Sequence, residues 1–280
     1  MTLITSQKKS IMPRFSIRLE IIPANSVQAR LEKAKAYGFD AIAFPGRFQD
    51  RFLAEALSLG PERALPIHSV SLGFEGALTA SDPERRQACQ LSLMKMLTVT
   101  ANLGGSYFNM PPELLQDNPP SSLTHLNHEQ AQAQKDTWLK ESIGKVLEHA
   151  QTLGIKLLLE PVNRYETDYL IQTAHVVKLC ERINHSALGC TLDFYHMQLE
   201  ELRPELAIRS AQKFLQLIHV ADNTRVEPGP GTLNFLPGFK ALKAIGYNGV
   251  IEVECRSLSG DADVVLPRSL AYLKQLWAEA

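Results

Sequence analysis

Four side chains that can bind a metal ion, three carboxylates and one imidazole, recur through the C-terminal half of the chain. Glu160, Asp193, His219 and Glu254 are separated by 33, 26 and 35 residues. Each lies at the end of a short apolar run that predicts a buried strand. Carboxylate and imidazole ligands together suit Mn²⁺, Mg²⁺, Co²⁺ or Zn²⁺ and disfavour soft-metal chemistry. We therefore predict one divalent metal ion, with Mn²⁺ as the first candidate.

A metal ion held in this way suits proton abstraction from a carbon next to a ketone. That step forms an enediolate, whose negative oxygen needs a nearby cation. Two carboxylates on opposite faces of a sugar could take a proton and return one to the other face, which inverts the carbon. Glu160 and Glu254 are the candidates for these two catalytic roles. If only one of them reached the sugar, the same site would interconvert an aldose and a ketose.

The elements that position these residues alternate short strands with longer helical patterns, at about one strand per 35 residues. Most of the strands are apolar on both faces, as in a covered parallel sheet. We predict strands at Phe15–Glu20, Asp40–Phe44, Ile67–Leu72, Ser106–Asn109, Lys156–Glu160, Leu188–Asp193, Leu215–Val220 and Gly249–Glu254. Helical patterns include Asp82–Leu103, Glu129–Leu153, Ala174–Ile183, Pro204–Lys213, Phe235–Ile245 and Asp263–Ala278. This repeat predicts an α/β protein, a single (β/α)8 TIM barrel over residues 15–280 after an N-terminal tail of residues 1–14.

One segment departs from the repeat. Residues 111–134 are rich in proline, glutamine, histidine and asparagine and follow the fourth predicted strand. On a barrel this segment would cross the face that carries the active site. A surface excursion and a functional lid are both consistent with its composition.

The charge balance and the cysteines exclude several classes of protein. The chain has 29 lysine and arginine residues against 30 aspartate and glutamate residues, a formal charge of −1. This balance provides no basic surplus and disfavours a dedicated binder of nucleic acid or of an anionic membrane. No apolar run approaches the ~20 residues that span a bilayer. The four cysteines form no CxxC pair, so we expect reduced thiols in a cytoplasmic protein.

Three motifs carry a resemblance to a known family. The sequence reads EPVNRYET at 160–167, LDFYHM at 192–197 and HVADNTR at 219–225. In combination they resemble the xylose-isomerase-like TIM-barrel superfamily, and within it the sugar phosphate isomerases and epimerases, including ketose 3-epimerases of the D-tagatose 3-epimerase type. The resemblance is strong in the C-terminal half, whereas the N-terminal half matches only in its rhythm of strands and helices.

The resemblance implies roles for individual residues. It identifies four metal ligands, which are Glu160, Asp193, His219 and Glu254. It also implies that the substrate's hydroxyl and carbonyl oxygens contact Glu166, His196 and Arg225. The implied partner is a small sugar or sugar phosphate, with no nucleic acid and no membrane, and a homo-oligomer is compatible with it.

Two further residues of the predicted strands, Glu252 and His68, are of types that can bind a metal ion. Glu252 points to the same side of its strand as Glu254, one layer deeper, and the family's Tyr-x-Gly turn before the strand selects Glu254 as the ligand. His68, in the third predicted strand, could extend the site to a second metal ion. We interpret His68 instead as a packed or hydrogen-bonded residue.

Other activities remain open at this point. A keto-polyol dehydratase of the inosose dehydratase type begins with the same enolate and needs an acid, for which His196 is the candidate. Phosphodiesterases of the endonuclease IV type share the barrel and the four ligands but need a trinuclear zinc cluster. Here the fourth strand ends in Asn109 and the segment after Gly231 lacks the extra histidine and aspartate. A non-enzymatic sugar-binding barrel would have no need of paired carboxylates on a metal.

Overall fold

The computed structural model describes residues 12–48, 50–115, 123 and 126–280. Its strands are all parallel and close into a barrel, in which each strand pairs with the next and the last pairs with the first. They are β1 (Arg14–Arg18), β2 (Ala41–Pro45), β3 (Ile67–Ser71), β4 (Tyr107–Met110), β5 (Lys156–Leu159), β6 (Leu188–Asp193), β7 (Leu215–Val220) and β8 (Val250–Val253). The predicted TIM barrel is confirmed.

Helices cover the outside of the barrel between successive strands. They are α1 (Val27–Tyr37), α2 (Asp50–Ser58), α3 (Pro83–Asn102), α4 (His128–Thr152), α5 (Thr173–Ile183), α6 (Phe194–Glu200), α7 (Pro204–Ser210), α8 (Leu236–Ala244) and α9 (Ala262–Glu279). The predicted strand boundaries differ from the observed ones by at most two residues. Residues 1–11 of the predicted N-terminal tail lie outside the described residues.

Two separate apolar layers hold the barrel together. The larger core lies between the outer face of the strands and the helices, and the strands are buried on both faces because the helices cover them. A small second cluster fills the inside of the barrel, where Leu158, Leu217 and Val250 pack together with Tyr107. Above this cluster the inward-facing residues become polar. The interior therefore changes from a packed floor to a polar site toward the carboxyl ends of the strands.

A β-bulge in β3 breaks the regular alternation of the barrel interior. Ile42 pairs with Ile67, but the next residue of β2, Ala43, pairs with Ser69. His68 is the extra residue of the bulge. An extra residue re-aims the side chains around it, and both His68 and Ser69 contact Glu252 inside the barrel.

The remaining expectations concern membranes and thiols. Among the described helices, none combines the length and the apolar character that a bilayer crossing requires. All four cysteine thiols are buried, and burial raises the pKa of Cys180 and of Cys255 to about 12.

Candidate metal centre and substrate pocket

The four predicted metal-ligating side chains converge at the carboxyl ends of four neighbouring strands. Glu160 directly follows β5, Asp193 ends β6, His219 lies near the end of β7 and Glu254 directly follows β8. One potential ligand atom from each lies within 4.8 Å of all the others. Parallel strands of a barrel end on the same rim, so residues far apart in the chain meet there.

Neighbouring side chains orient the carboxylates of this cluster. His219 Nδ1 lies 2.9 Å from Glu160 Oε1 and 3.0 Å from Glu254 Oε2. Asn109 Nδ2 donates to Glu160 Oε2 at 2.7 Å. Arg225 donates to Asp193 and to Glu254, and Arg18 donates to the other oxygen of Glu254. Every acidic group of the cluster is thus held by at least one donor, as buried carboxylates require.

The electrostatics of the cluster favour charged groups despite their burial. Burial opposes the charged form of His219, but Glu254, Glu160 and Glu252 outweigh it and raise the pKa of this imidazole well above its usual range. Burial also opposes ionisation of Glu254, yet His219 and Arg18 outweigh it and hold the pKa of this carboxyl well below normal. These pKa shifts indicate that Glu254 is ionised, and an ionised carboxylate can bind a cation.

This donor set fits a divalent metal ion. It offers carboxylate oxygens and one imidazole nitrogen on a small common volume, and it contains no thiolate. Hard and borderline ions such as Mn²⁺, Mg²⁺, Co²⁺ and Zn²⁺ take such ligands. A divalent cation would take the place of a proton on His219 among these carboxylates.

A cavity of about 480 Å³ opens above the cluster. Its size falls in the range of small-molecule sites. Glu160 and Glu254 both reach this cavity, and so do the three residues predicted to contact substrate, Glu166, His196 and Arg225.

His196 sits in a buried pocket wall as a neutral imidazole. Its Nδ1 lies 2.8 Å from Asn163 Nδ2 and accepts from the Asn163 backbone N–H at 3.2 Å. Its Nε2 lies 3.5 Å from Asp193 Oδ2. Burial first, and then the charge of Arg225, lower the pKa of His196 to about 4. This histidine can thus orient a substrate oxygen without carrying a charge at neutral pH.

The loop after β7 is shaped so that Arg225 reaches the pocket. The carboxylate of Asp222 accepts backbone N–H groups from Gly229 at 3.0 Å, from Gly231 at 2.9 Å and from Leu233 at 3.1 Å. A Cβ on Gly231 would lie 2.1 Å from Asp222 Oδ1, so only glycine fits there. Arg225 itself has a φ of 61°, and its guanidinium lies 4.4 Å from the centre of the Tyr195 ring.

Two arginines that line the cavity, Arg18 and Arg256, are absent from the predicted site residues. Arg18 ends β1 and contacts Glu254. The predicted first strand extends two residues further, to Glu20, so Arg18 is not at the predicted strand end. Arg256 also lines the cavity and donates to Glu166 at 3.1 Å. A test for polar residues near every strand end, applied to the N-terminal strands as well, would have found Arg18.

Glu252 and His68, the two other candidate residues of the strands, are not part of the four-residue cluster. Glu254 belongs to the four-residue cluster, while Glu252 lies one layer deeper and is fully buried. His68 is hydrogen-bonded in this deeper layer. Of the segment 111–134, residues 116–122, 124 and 125 lie outside the described residues, but its beginning lines the cavity through Pro111 and Leu114.

Comparison with known proteins places the chain in a family. The family model described as "Xylose isomerase-like TIM barrel" matches residues 31–276. The chain belongs to the xylose isomerase-like TIM barrel family. One similar protein is the ketose 3-epimerase of Arthrobacter globiformis, which is 31% identical over 266 residues. The match covers 91% of this chain and 86% of that protein. The 3-dehydro-D-guloside 4-epimerase of Escherichia coli is 27% identical over 86% of this chain and 91% of its own.

Solved structures agree with the xylose isomerase-like fold. The apo 3-keto-D-glucoside 4-epimerase from E. coli superposes with a TM-score of 0.82 at 24% identity, over 94% of this chain and 100% of that chain. An L-ribulose 3-epimerase superposes with a TM-score of 0.81 at 23% identity, over 96% of this chain and 95% of that one. The family and the epimerase relatives predicted from the three motifs are thereby confirmed.

Proposed function

We propose that this chain is a divalent-metal-dependent epimerase of an unphosphorylated ketose, with Glu160 and Glu254 as its two proton-transferring carboxylates. The observation that carries the proposal is the convergence of Glu160, Asp193, His219 and Glu254 at the base of a cavity of about 480 Å³. The sugar epimerases among the relatives support the reaction class.

The proposed metal ligands are these same four residues, and a bound divalent cation would stabilise the negative charge that develops on the ketose oxygen. Glu160 and Glu254 enter the cavity from β5 and β8 and flank His219. In the proposed reaction one carboxylate removes the proton from the carbon beside the ketone, and the other delivers a proton to the opposite face. During both proton transfers the oxygens of the sugar are bound by Glu166, His196 and Arg225.

Charge pairing in the cavity supports a substrate without a phosphate group. Among the described residues, the arginines that line it already pair with carboxylates: Arg18 with Glu20 and Glu254, Arg225 with Asp193 and Glu254, and Arg256 with Glu166. A phosphate would have to compete with these carboxylates for an arginine, whereas a neutral sugar would not.

The state of His196 favours epimerisation over dehydration. A dehydratase needs an acid positioned to expel a hydroxyl group, and His196 was the candidate. Because the pKa of His196 is lowered to about 4, its protonated form is scarce at neutral pH, which disfavours this residue as the general acid.

The experiment is an assay of sugars in deuterated water with Mn²⁺ and the purified chain. The panel contains ketopentoses and ketohexoses, their phosphates and 3-keto-glycosides, with products and exchanged carbons identified by NMR. We expect a free ketose to epimerise beside its carbonyl, with deuterium from solvent at the inverted carbon. A preference for a phosphate ester, loss of water, or metal-loaded protein that exchanges no proton in any sugar of the panel would overturn the proposal.

A further inference from the structure

A fully buried polar layer lies directly beneath the proposed metal centre. Its central residue is Glu252, whose side chain is 0% exposed. In register, His219 of β7 lies beside Glu252 of β8. The apolar floor of Leu158, Leu217 and Val250 lies below. A carboxylate in such a place is costly unless hydrogen bonds or charges compensate it, so its presence calls for a function.

Two buried polar atoms face each other across this layer. His219 Nε2 and Glu252 Oε1 lie 3.5 Å apart, and neither has another hydrogen-bond partner among the described residues. A small rotation of the ring or of the carboxylate brings them to hydrogen-bond distance. The other ring nitrogen, Nδ1, faces Glu160 and Glu254 in the four-residue cluster. The two nitrogens of His219 therefore have two distinct environments.

Glu252 is itself held in place by β3. Its Oε2 accepts from Ser69 Oγ at 3.1 Å and lies 3.2 Å from His68 Nε2. His68 Nε2 in turn lies 2.9 Å from Ser16 Oγ on β1. The bulge in β3 brings both His68 and Ser69 into this contact. The chain thus uses an irregularity in its sheet to fix one oxygen of Glu252 and aim the other at His219.

We propose that Glu252 is a positioning residue that accepts a hydrogen bond from His219 Nε2–H and so presents Nδ1 to the metal ion. An imidazole that binds a metal through one nitrogen carries its proton on the other, and the partner of that proton sets the tautomer and the ring orientation. This inference rests on the proposed function because it presupposes a metal ion on the four-residue cluster.

The test compares Glu252→Leu with Glu252→Gln in protein labelled with ¹⁵N-histidine and loaded with Zn²⁺. Leucine removes the acceptor and keeps most of the volume, whereas glutamine keeps a weaker acceptor. We expect wild-type His219 to bind zinc through Nδ1 and to show a slowly exchanging Nε2–H in the NMR spectrum, assigned with His219→Gln. We expect Glu252→Leu to lose that signal and to weaken zinc binding by about 10- to 100-fold, and Glu252→Gln to weaken it less.

Val250→Ala is the matched control for disturbed packing. It removes methyl groups from the floor of the same barrel and touches no polar atom of the layer, so it should lower the melting temperature but leave zinc affinity within about twofold of wild type. If wild type binds no divalent ion, the proposed function fails. If wild type binds zinc while Glu252→Leu keeps full affinity and an unchanged His219 spectrum, only this inference fails.

Zinc bound through Nε2 in wild type would also overturn the inference. The spectra of wild type and Glu252→Gln decide this point even where Glu252→Leu does not fold.

Discussion

At the level of a single residue, Asp193 caps a helix and is also one of the proposed metal ligands, and the two roles can be separated. Its carboxylate belongs to the four-residue cluster and also caps α6 by accepting from the Tyr195 backbone N–H at 2.8 Å. Asparagine can serve as the same helix cap but lacks the charge that a metal ion requires. Substitution by asparagine should therefore remove metal binding and keep the helix cap, whereas substitution by alanine should remove both.

We predict that Asp193→Asn and Asp193→Ala both lower bound Mn²⁺ and both lose the buried ion pair with Arg225 in the metal-free protein. Asp193→Ala should be less stable than Asp193→Asn by about 1 kcal/mol, because its helix cap is gone as well. Metal content by mass spectrometry and urea denaturation in EDTA measure the two effects. Full metal content in Asp193→Asn would remove Asp193 from the ligand set.

His196 gives a pH dependence whose sign follows from its lowered pKa. In the folded protein the pKa is about 4, below the value of about 6.5 in an unfolded chain. As the pH falls, the unfolded state therefore takes up a proton before the folded state does. The contribution of His196 to the free energy of unfolding is fully present above about pH 6.5. It decreases as the pH falls toward 4, by at most about 1.4 kcal/mol per pH unit.

The measurement is urea denaturation in EDTA at pH 7.5 and pH 5 for wild type and His196→Gln. We expect wild type to lose more stability than the variant over this interval, since glutamine does not titrate. Equal losses, or an NMR titration of His196 with a midpoint near 6.5, would contradict the assignment of a neutral buried imidazole.

At the level of elements, a network of buried polar groups ties together the loops that form the pocket wall. Lys135 on α4 contacts Glu113 Oε1 and Asp168 Oδ1, each at 2.6 Å. Glu113 also accepts from Thr79. The network joins the loops after β3, β4 and β5, and Leu114 beside it lines the cavity. Burial raises the pKa of Glu113 against the opposing charge of Lys135.

We predict that Lys135→Met destabilises the protein by about 3–5 kcal/mol, since it leaves the buried Glu113 without its cation. The double variant Lys135→Met, Glu113→Gln should recover much of the loss, because no buried charge then remains unpaired. Urea denaturation at neutral pH gives all three values. A loss below about 1 kcal/mol in the single variant would show that the network does not hold the loops.

The elements also show what sequence patterns could predict and what they could not. Regular strands were predictable because apolar runs such as β6 and β7 end in residues of clear chemistry. The bulge at His68 was not, because the period-two rule assumes that every strand is regular. Strand β6 ends at Asp193 as predicted, but the seven-residue helix α6 follows it without a break and is too short for a helical period to be recognised.

At the scale of the whole molecule, the (β/α)8 repeat explains why four distant residues could be predicted as one site. Barrel closure places every strand end on one rim, so the spacing of Glu160, Asp193, His219 and Glu254 was sufficient. The polar layer below the rim depends on side-chain distances between β1, β3, β7 and β8. Spacing along the chain contains no such information, which is why the contact of Glu252 with His219 needed the structure.

The most direct test of the account measures solvent deuterium exchange in Glu160→Gln and Glu254→Gln, with the ketose found in the assay above. Each variant is first brought to wild-type Mn²⁺ occupancy, checked by mass spectrometry, so that loss of a base is separated from loss of the metal. We predict that deuterium incorporation at the carbon beside the ketone falls at least about 100-fold in both variants. Incorporation at the wild-type rate in either one would contradict the two-carboxylate mechanism.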